Sequence, residues 1–239
     1  LCKHSHYFAD SIIAISDHLY SHMIKISKGK TPVFHIPITV DLTKFPKKNY
    51  TIPENYKIFY GGSFGEKDGI EYLIKAFEEV CLKFKNVNLI LTGKGFVEGM
   101  QKVSQLIDHS IVNEKIIFKG FLSKDEYYKV LNDCDIFCMT RINSKFANAG
   151  FPFKLGEFLA TGKAVIATDV SDVGKYIRNG ENALLIKPSS TEDMAESFLY
   201  ILENPSLINK LGSEGRKTAE LYFDSEKVSN KLYEIFRSL

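Results

Sequence analysis

The chain of 239 residues contains no tryptophan and only four cysteines, Cys2, Cys81, Cys134 and Cys138. No pair of them forms a CxxC, and no histidine pair stands near them at zinc-ligand spacing, so no zinc framework is expected. Cys81, Cys134 and Cys138 lie among apolar neighbours and read as small buried hydrophobes, which favours a reducing compartment. No run of eighteen apolar residues occurs, so no membrane-spanning helix is expected. No signal peptide is visible. The net charge is only +2, with Lys and Arg scattered rather than striped, which argues against a nucleic-acid surface. No G-x-G-x-x-G opens a helix, which speaks against a nicotinamide-binding domain. No Ser-His-Asp or Cys-His arrangement can be assembled from spacing, and His35 and His109 read as structural or surface residues. His4 and His6 stand at i,i+2, which does not share a helix face. No metal is expected there.

What is present is ordinary for a globular protein: 44% apolar and 25% charged residues. The length suits one large domain, or one domain plus a fragment. The chain opens at Leu1 without an initiator Met, and reads as a piece of a longer protein. Strand and helix patterns alternate through most of it. Strands are expected at Lys57–Tyr60, Val87–Thr92, Lys115–Phe118, Ile136–Met139, Ala164–Ala167 and Ala183–Ile186. Helices are expected near Gly69–Phe84, Val97–His109, from Ser123 to about Cys134, then around Glu157, Thr191–Leu202, Ser206–Tyr222 and Ser225–Phe236. Ser123 and Glu126 form a capping-box pair. Such repeats imply parallel strands with right-handed crossovers. The expectation is an α/β fold, a Rossmann-like doubly wound parallel sheet with helices on both faces, over residues 49–222. Residues 1–48 read as the end of an N-terminal domain plus a linker, with a helix at Phe8–Ile26 and a strand at Val33–Ile36. Residues 223–239 read as a C-terminal helix packing toward that N-terminal part.

The most informative stretch runs from Gly150 to Asp169. A glycine turn and Pro152 open a helix that carries one acid, Glu157, and Gly162 stops it ahead of a buried strand. An acid on such a helix can accept hydrogen bonds from sugar hydroxyls, while the free amides at its start can face an anion. Ligands of open parallel sheets bind at the carboxyl ends of the strands. Gly61–Gly65, Gly93–Gly95, Gly120–Leu122, Arg141 and Asp169 all follow strands directly. Lys67 opposes the dipole of the next helix unless an anion sits there, the alternative being a solvated surface lysine. Arg141 either makes a two-pronged phosphate contact or snorkels at the sheet rim. Lys154 either meets a phosphate or pairs with Glu157 at i,i+3. Glu157 is either a ligand acid or a solvent-facing helix residue.

These residues carry a resemblance. Ile58 to Gly62 with Lys67 and Gly69, Leu89 to Gly95, Phe118 to Phe121, Gly150 to Asp169 and Asn179 to Ile186 resemble the C-terminal, donor-binding half of a group 1 retaining glycosyltransferase of the GT-B fold. Ile12 to Asp17 and Ile36 to Asp41 resemble that family's domain junction. The resemblance implies a nucleotide-diphospho-sugar donor. It places Glu157 on the ribose hydroxyls and Lys67 on the diphosphate, with Gly61 and Gly62 beside the phosphates. Backbone at Gly120, Phe121 and Leu122 would meet the base, and Gly150, Phe151 and Pro152 would place main-chain amides near the donor sugar.

Two positions depart from the family pattern. Ala149 stands where the first motif acid is expected, so sugar contacts are lost or Asn148 or Lys154 serves instead. Ser63 stands where an arginine is usual, and Arg141 is the substitute cation. The expectation is transfer of a sugar to a glycan or lipid-linked glycan acceptor, with Lys67 and Arg141 stabilising the departing diphosphate and no metal required. The fragment alone is expected to be inactive. The protein is expected in the cytoplasm or at the inner face of a membrane, with peripheral contact made by the missing N-terminal domain. The alternatives are a nucleotide-sugar 2-epimerase on the same fold and a non-catalytic nucleotide-sugar-binding module.

Overall fold

The computed structural model describes residues 9–47 and 50–239, so Cys2, His4 and His6 lie outside the described residues. The chain begins with β1 (Ile12–Ala14), α1 (Asp17–Ser27) and β2 (Val33–His35). Next come β3 (Tyr56–Gly62), α2 (Ile70–Lys83), β4 (Val87–Gly93), α3 (Val97–Asp108), β5 (Ile116–Phe118) and α4 (Lys124–Asp133). The second half holds β6 (Ile136–Met139), α5 (Lys145–Ala149), α6 (Phe153–Ala160), β7 (Ala164–Thr168), α7 (Val173–Tyr176) and β8 (Leu184–Ile186). It closes with α8 (Thr191–Glu203), α9 (Ser206–Tyr222) and α10 (Ser225–Ser238).

Six parallel strands form the main sheet in the order β5-β4-β3-β6-β7-β8. The order reverses between β3 and β6, and a crevice opens at such a switch point because the crossovers leave in opposite directions. Alternation along β3 shows why both faces are covered. Ile58 and Tyr60 join α2 and α8 residues such as Leu73, Phe77, Phe198 and Ile201. Phe59 joins Leu131 of α4, Leu155 and Phe158 of α6, and Ala219 of α9 on the other face. Each fully buried aromatic or aliphatic side chain of this kind contributes about 1.5–3 kcal/mol.

The helix expected over Phe8–Ile26 is corrected. Ile12–Ala14 is a strand paired in parallel with Val33–His35, and the helix starts only at Asp17. Two factors decide this: β-branched Ile12 and Ile13 favour an extended pair, and Ser16 caps the helix by accepting the Leu19 amide at 3.2 Å. The polar stretch from Lys44 is anchored at Phe45, which is 1% exposed and whose carbonyl accepts Arg216 Nη1 at 2.6 Å.

Val40 then docks the first segment onto the sheet domain. Its amide donates to the Phe223 carbonyl at 2.7 Å, and its carbonyl accepts the Ser225 amide at 3.0 Å. Gly156 makes room for this contact, since a Cβ there would lie 2.7 Å from Ile38 Cδ1 and 2.8 Å from Val40 Cγ2. From the other side, Val228 and Ile235 of α10 cover Ile36. Among the described residues, no helix is long and apolar enough to cross a membrane.

Candidate functional site

A cleft of about 360 Å³ lies at the β3/β6 switch point. Small-molecule sites run from about 300 to 1,000 Å³, so it can hold a substantial ligand. The end of β3 and the turn after it supply Gly61, Gly62, Ser63, Lys67 and Asp68. Gly93 ends β4 and Lys94 follows it, Phe121 comes after β5, and Met139, Thr140 and Arg141 come from the end of β6. Pro152, Phe153 and Lys154 form the wall where α6 begins. No side chain caps α6 at Pro152, though the Leu155 amide turns back to the Pro152 carbonyl at 3.0 Å.

The glycine turn is held in place by Asp68. Its Oδ2 accepts the Ser63 hydroxyl at 2.7 Å and the Gly65 amide at 2.9 Å. The Thr140 hydroxyl donates to the Asp68 carbonyl, and the Ile142 amide donates to the Lys67 carbonyl at 2.9 Å. These bonds tie the Lys67 turn to the exit of β6. The Lys67 ammonium lies 5.2 Å from the centre of the Phe146 ring.

Four cations from four separate segments, Lys67, Lys94, Arg141 and Lys154, therefore share one cleft. Burial pulls the Arg141 pKa down, opposed by Asp68 and Tyr60. Burial also pulls Lys154 down, opposed by Glu157. Both groups are more exposed to an anion's attraction than a hydrated surface cation would be, because less water competes.

The other expected site residues fall into two groups. Gly61, Gly62, Phe121 and Pro152 line the cleft with the cations. Gly120, Leu122, Asn148, Gly150, Phe151 and Glu157 do not. The Gly120 carbonyl accepts the Gly93 amide at 2.9 Å, which joins two of the loops. Asn148 is engaged locally, donating to Asn143 Oδ1 at 2.7 Å and accepting the Ser171 amide at 3.1 Å. Phe151 is a core residue, 2% exposed and packed edge-on against Tyr176. Glu157 stands behind the wall, where its Oε2 accepts the Tyr127 hydroxyl at 2.8 Å.

Sequence reasoning missed Asp68, Thr140 and Tyr127. Asp68 had a signal in its i−3 and i−5 partners Gly65 and Ser63, a local turn pattern. Tyr127 had none, because its partners lie on another helix about thirty residues away.

Among the described residues, one group brings metal-type ligands together: Asp17, His35 and Asp172, within 4.8 Å of one another. Asp17 already pairs with Lys175, and Asp172 accepts the Asp17 amide at 2.7 Å. These contacts compete with a cation for the same oxygens.

The family model described as "Glycosyl transferases group 1" matches residues 43–218. An uncharacterized glycosyltransferase of Methanocaldococcus jannaschii is 21% identical over 97% of this chain and 59% of its own length. The capsular polysaccharide biosynthesis glycosyltransferase CapM of Staphylococcus aureus is 24% identical over 96% of this chain and 62% of its own length. The crystal structure of Anabaena HepE in complex with UDP and glucose superposes with a TM-score of 0.83 at 19% identity, covering 98% of this chain and 65% of that one. The chain thus spans about 60% of the length of these relatives.

Proposed function

Because this chain belongs to the group 1 glycosyl transferases, we propose that it supplies the donor-binding domain of an enzyme that transfers a sugar from a nucleotide-diphospho-sugar. The observation that carries the reading is the convergence of Lys67, Arg141 and Lys154 on one cleft at the switch point of the sheet. As the glycosidic bond breaks, negative charge grows on the leaving diphosphate. Fixed cations in a partly dry cleft stabilise that charge more in the transition state than in the ground state, which lowers the barrier. Arg141 offers a planar fork for two phosphate oxygens, and Lys67 and Lys154 act as point charges. These side chains supply the neutralising charge that a divalent metal would otherwise bring.

The resemblance assigns Glu157 to the ribose hydroxyls; its side chain stands behind the cleft wall, where its Oε2 takes the Tyr127 hydroxyl, so it faces the ribose only if the donor reaches past Lys154. Phe121, 76% exposed at the cleft, offers a face for the base. The acceptor is a glycan or lipid-linked glycan, bound by a further domain, and the reaction retains anomeric configuration. Replacing Lys67 with Ala in the full-length enzyme should lower turnover about 10- to 100-fold, the loss of one contact between charged groups. Unchanged turnover would remove Lys67 from the role.

A further inference from the structure

Lys154 and Glu157 stand three residues apart on α6, the spacing at which opposite charges pair directly. They meet instead through a third side chain. The Tyr127 hydroxyl of α4 donates to Glu157 Oε2 at 2.8 Å and accepts from Lys154 Nζ at 3.1 Å. The Lys154 ammonium also lies 4.4 Å from the centre of the Tyr127 ring. Of these three residues, only Lys154 lines the cleft.

We infer that Tyr127 is a positioning residue: its hydroxyl and ring hold the Lys154 ammonium on the cleft wall and off the Glu157 carboxylate. The inference rests on the reading of the cleft as a nucleoside-diphosphate site and names the device that keeps one of its cations in place.

Tyr127 is itself held from behind. Its ring meets Phe59 edge-on at 6.2 Å and Tyr128 at 5.8 Å, and the helix carrying it starts in the capping box of Ser123 and Glu126. Burial first, and then the neighbouring Glu157 charge, push the Tyr127 hydroxyl far above its ordinary pKa. It therefore remains protonated and keeps donating to the carboxylate. A partly desolvated ammonium needs polar partners. The hydroxyl and the π-face satisfy it while leaving its charge uncancelled for a ligand. Without that oxygen, the nearest strong acceptor is Glu157. A direct ion pair would draw the cation off the wall and occupy carboxylate oxygens on the same helix.

The test is calorimetric titration of UDP into the full chain and into Tyr127→Phe, Lys154→Met and the double variant, with GDP and ADP also titrated into the wild type. Tyr127→Phe removes one oxygen and should raise the dissociation constant for UDP about 5- to 10-fold, within the usual worth of a hydrogen bond to a charged group. In the Lys154→Met background, the same change should alter UDP affinity less than about 2-fold, since residues acting as one unit are non-additive. Additive losses, or a Tyr127→Phe protein that binds UDP as the wild type does, would overturn the inference. UDP affinity that survives Lys154→Met intact overturns it too, however Tyr127→Phe folds. A wild type that binds none of the three diphosphates overturns the site reading together with this inference. A wild type that binds, beside variants that bind equally well, overturns this inference alone.

Discussion

Gly93 packs so closely on Gly62 that a Cβ there would lie 1.8 Å from the Gly62 carbonyl oxygen, and its φ of 143° is one that side-chain-bearing residues rarely adopt. This contact seats the glycine turn after β3 on the end of β4, in register with the Gly62–Gly93 pairing of the sheet. The turn in turn carries Lys67 and Asp68, so this backbone contact helps set the shape of the cleft.

Gly93→Ala should therefore be costly. A Cβ would fall inside the van der Waals shell of the Gly62 carbonyl, and neither backbone can move far inside a parallel sheet. The left-handed conformation alone costs about 1–3 kcal/mol. Chemical denaturation should show at least that loss. A variant as stable as the wild type would mean that the two loops are not packed as described.

Arg141→Lys keeps the charge and loses the planar fork. If Arg141 grips two phosphate oxygens, UDP affinity should fall about 10-fold, equivalent to about 1.4 kcal/mol. Affinity for uridine, which carries no phosphate, should stay unchanged. Calorimetry on both ligands checks this, and an equal fall for both would place Arg141 elsewhere than on the phosphates.

Asp135 gives a pH-dependent prediction outside the cleft. It is 6% exposed, and its Oδ2 accepts the Lys57 amide at 2.9 Å. Burial raises its pKa above the ordinary aspartate value of 3.8, outweighing the opposing hydrogen bond and the Lys163 and Lys57 charges. A raised folded-state pKa means the favourable contribution is fully present below the ordinary value and is lost as pH rises through the folded one. Asp135→Asn retains an acceptor for the amide without the buried charge. Its melting midpoint relative to the wild type should rise from acid toward neutral pH. A difference that is flat or falls with pH would contradict the assignment.

Much of this was legible in the chain, for reasons that differ by element. Strands such as Val87–Gly93 and Ala164–Thr168 are short, largely apolar runs bounded by glycine or polar turns, and their length and flanks favour a sheet buried on both faces over a buried helix. Gly162 at φ 71° ends α6 where the sequence placed the stop. Arg141 was found because it follows a strand end, Lys67 because it stands at the mouth of the next helix, and Lys154 because it falls in the first turn of the helix that carries Glu157. The strand at Ile12–Ala14 was not legible, because three apolar residues before a helix fit a helical period as well as an extended one. The short α5 and α7 have too few turns to leave a periodic signal. The Phe151 side chain fills the core against Tyr176, a placement one aromatic in a turn does not reveal, since it reads the same whichever way it points. The Tyr127–Glu157 bond depends on how α4 lies against α6, which no local pattern encodes.

The central claim is that Lys67, Arg141 and Lys154 make the switch-point cleft a site for a nucleoside diphosphate. Calorimetric titration of UDP and uridine into the wild-type chain at two salt concentrations tests it most directly. The account predicts that UDP binds at least about 10-fold more tightly than uridine, and that added salt narrows the gap by screening the cations. Equal affinities at both salt concentrations, or no binding of UDP, would contradict it.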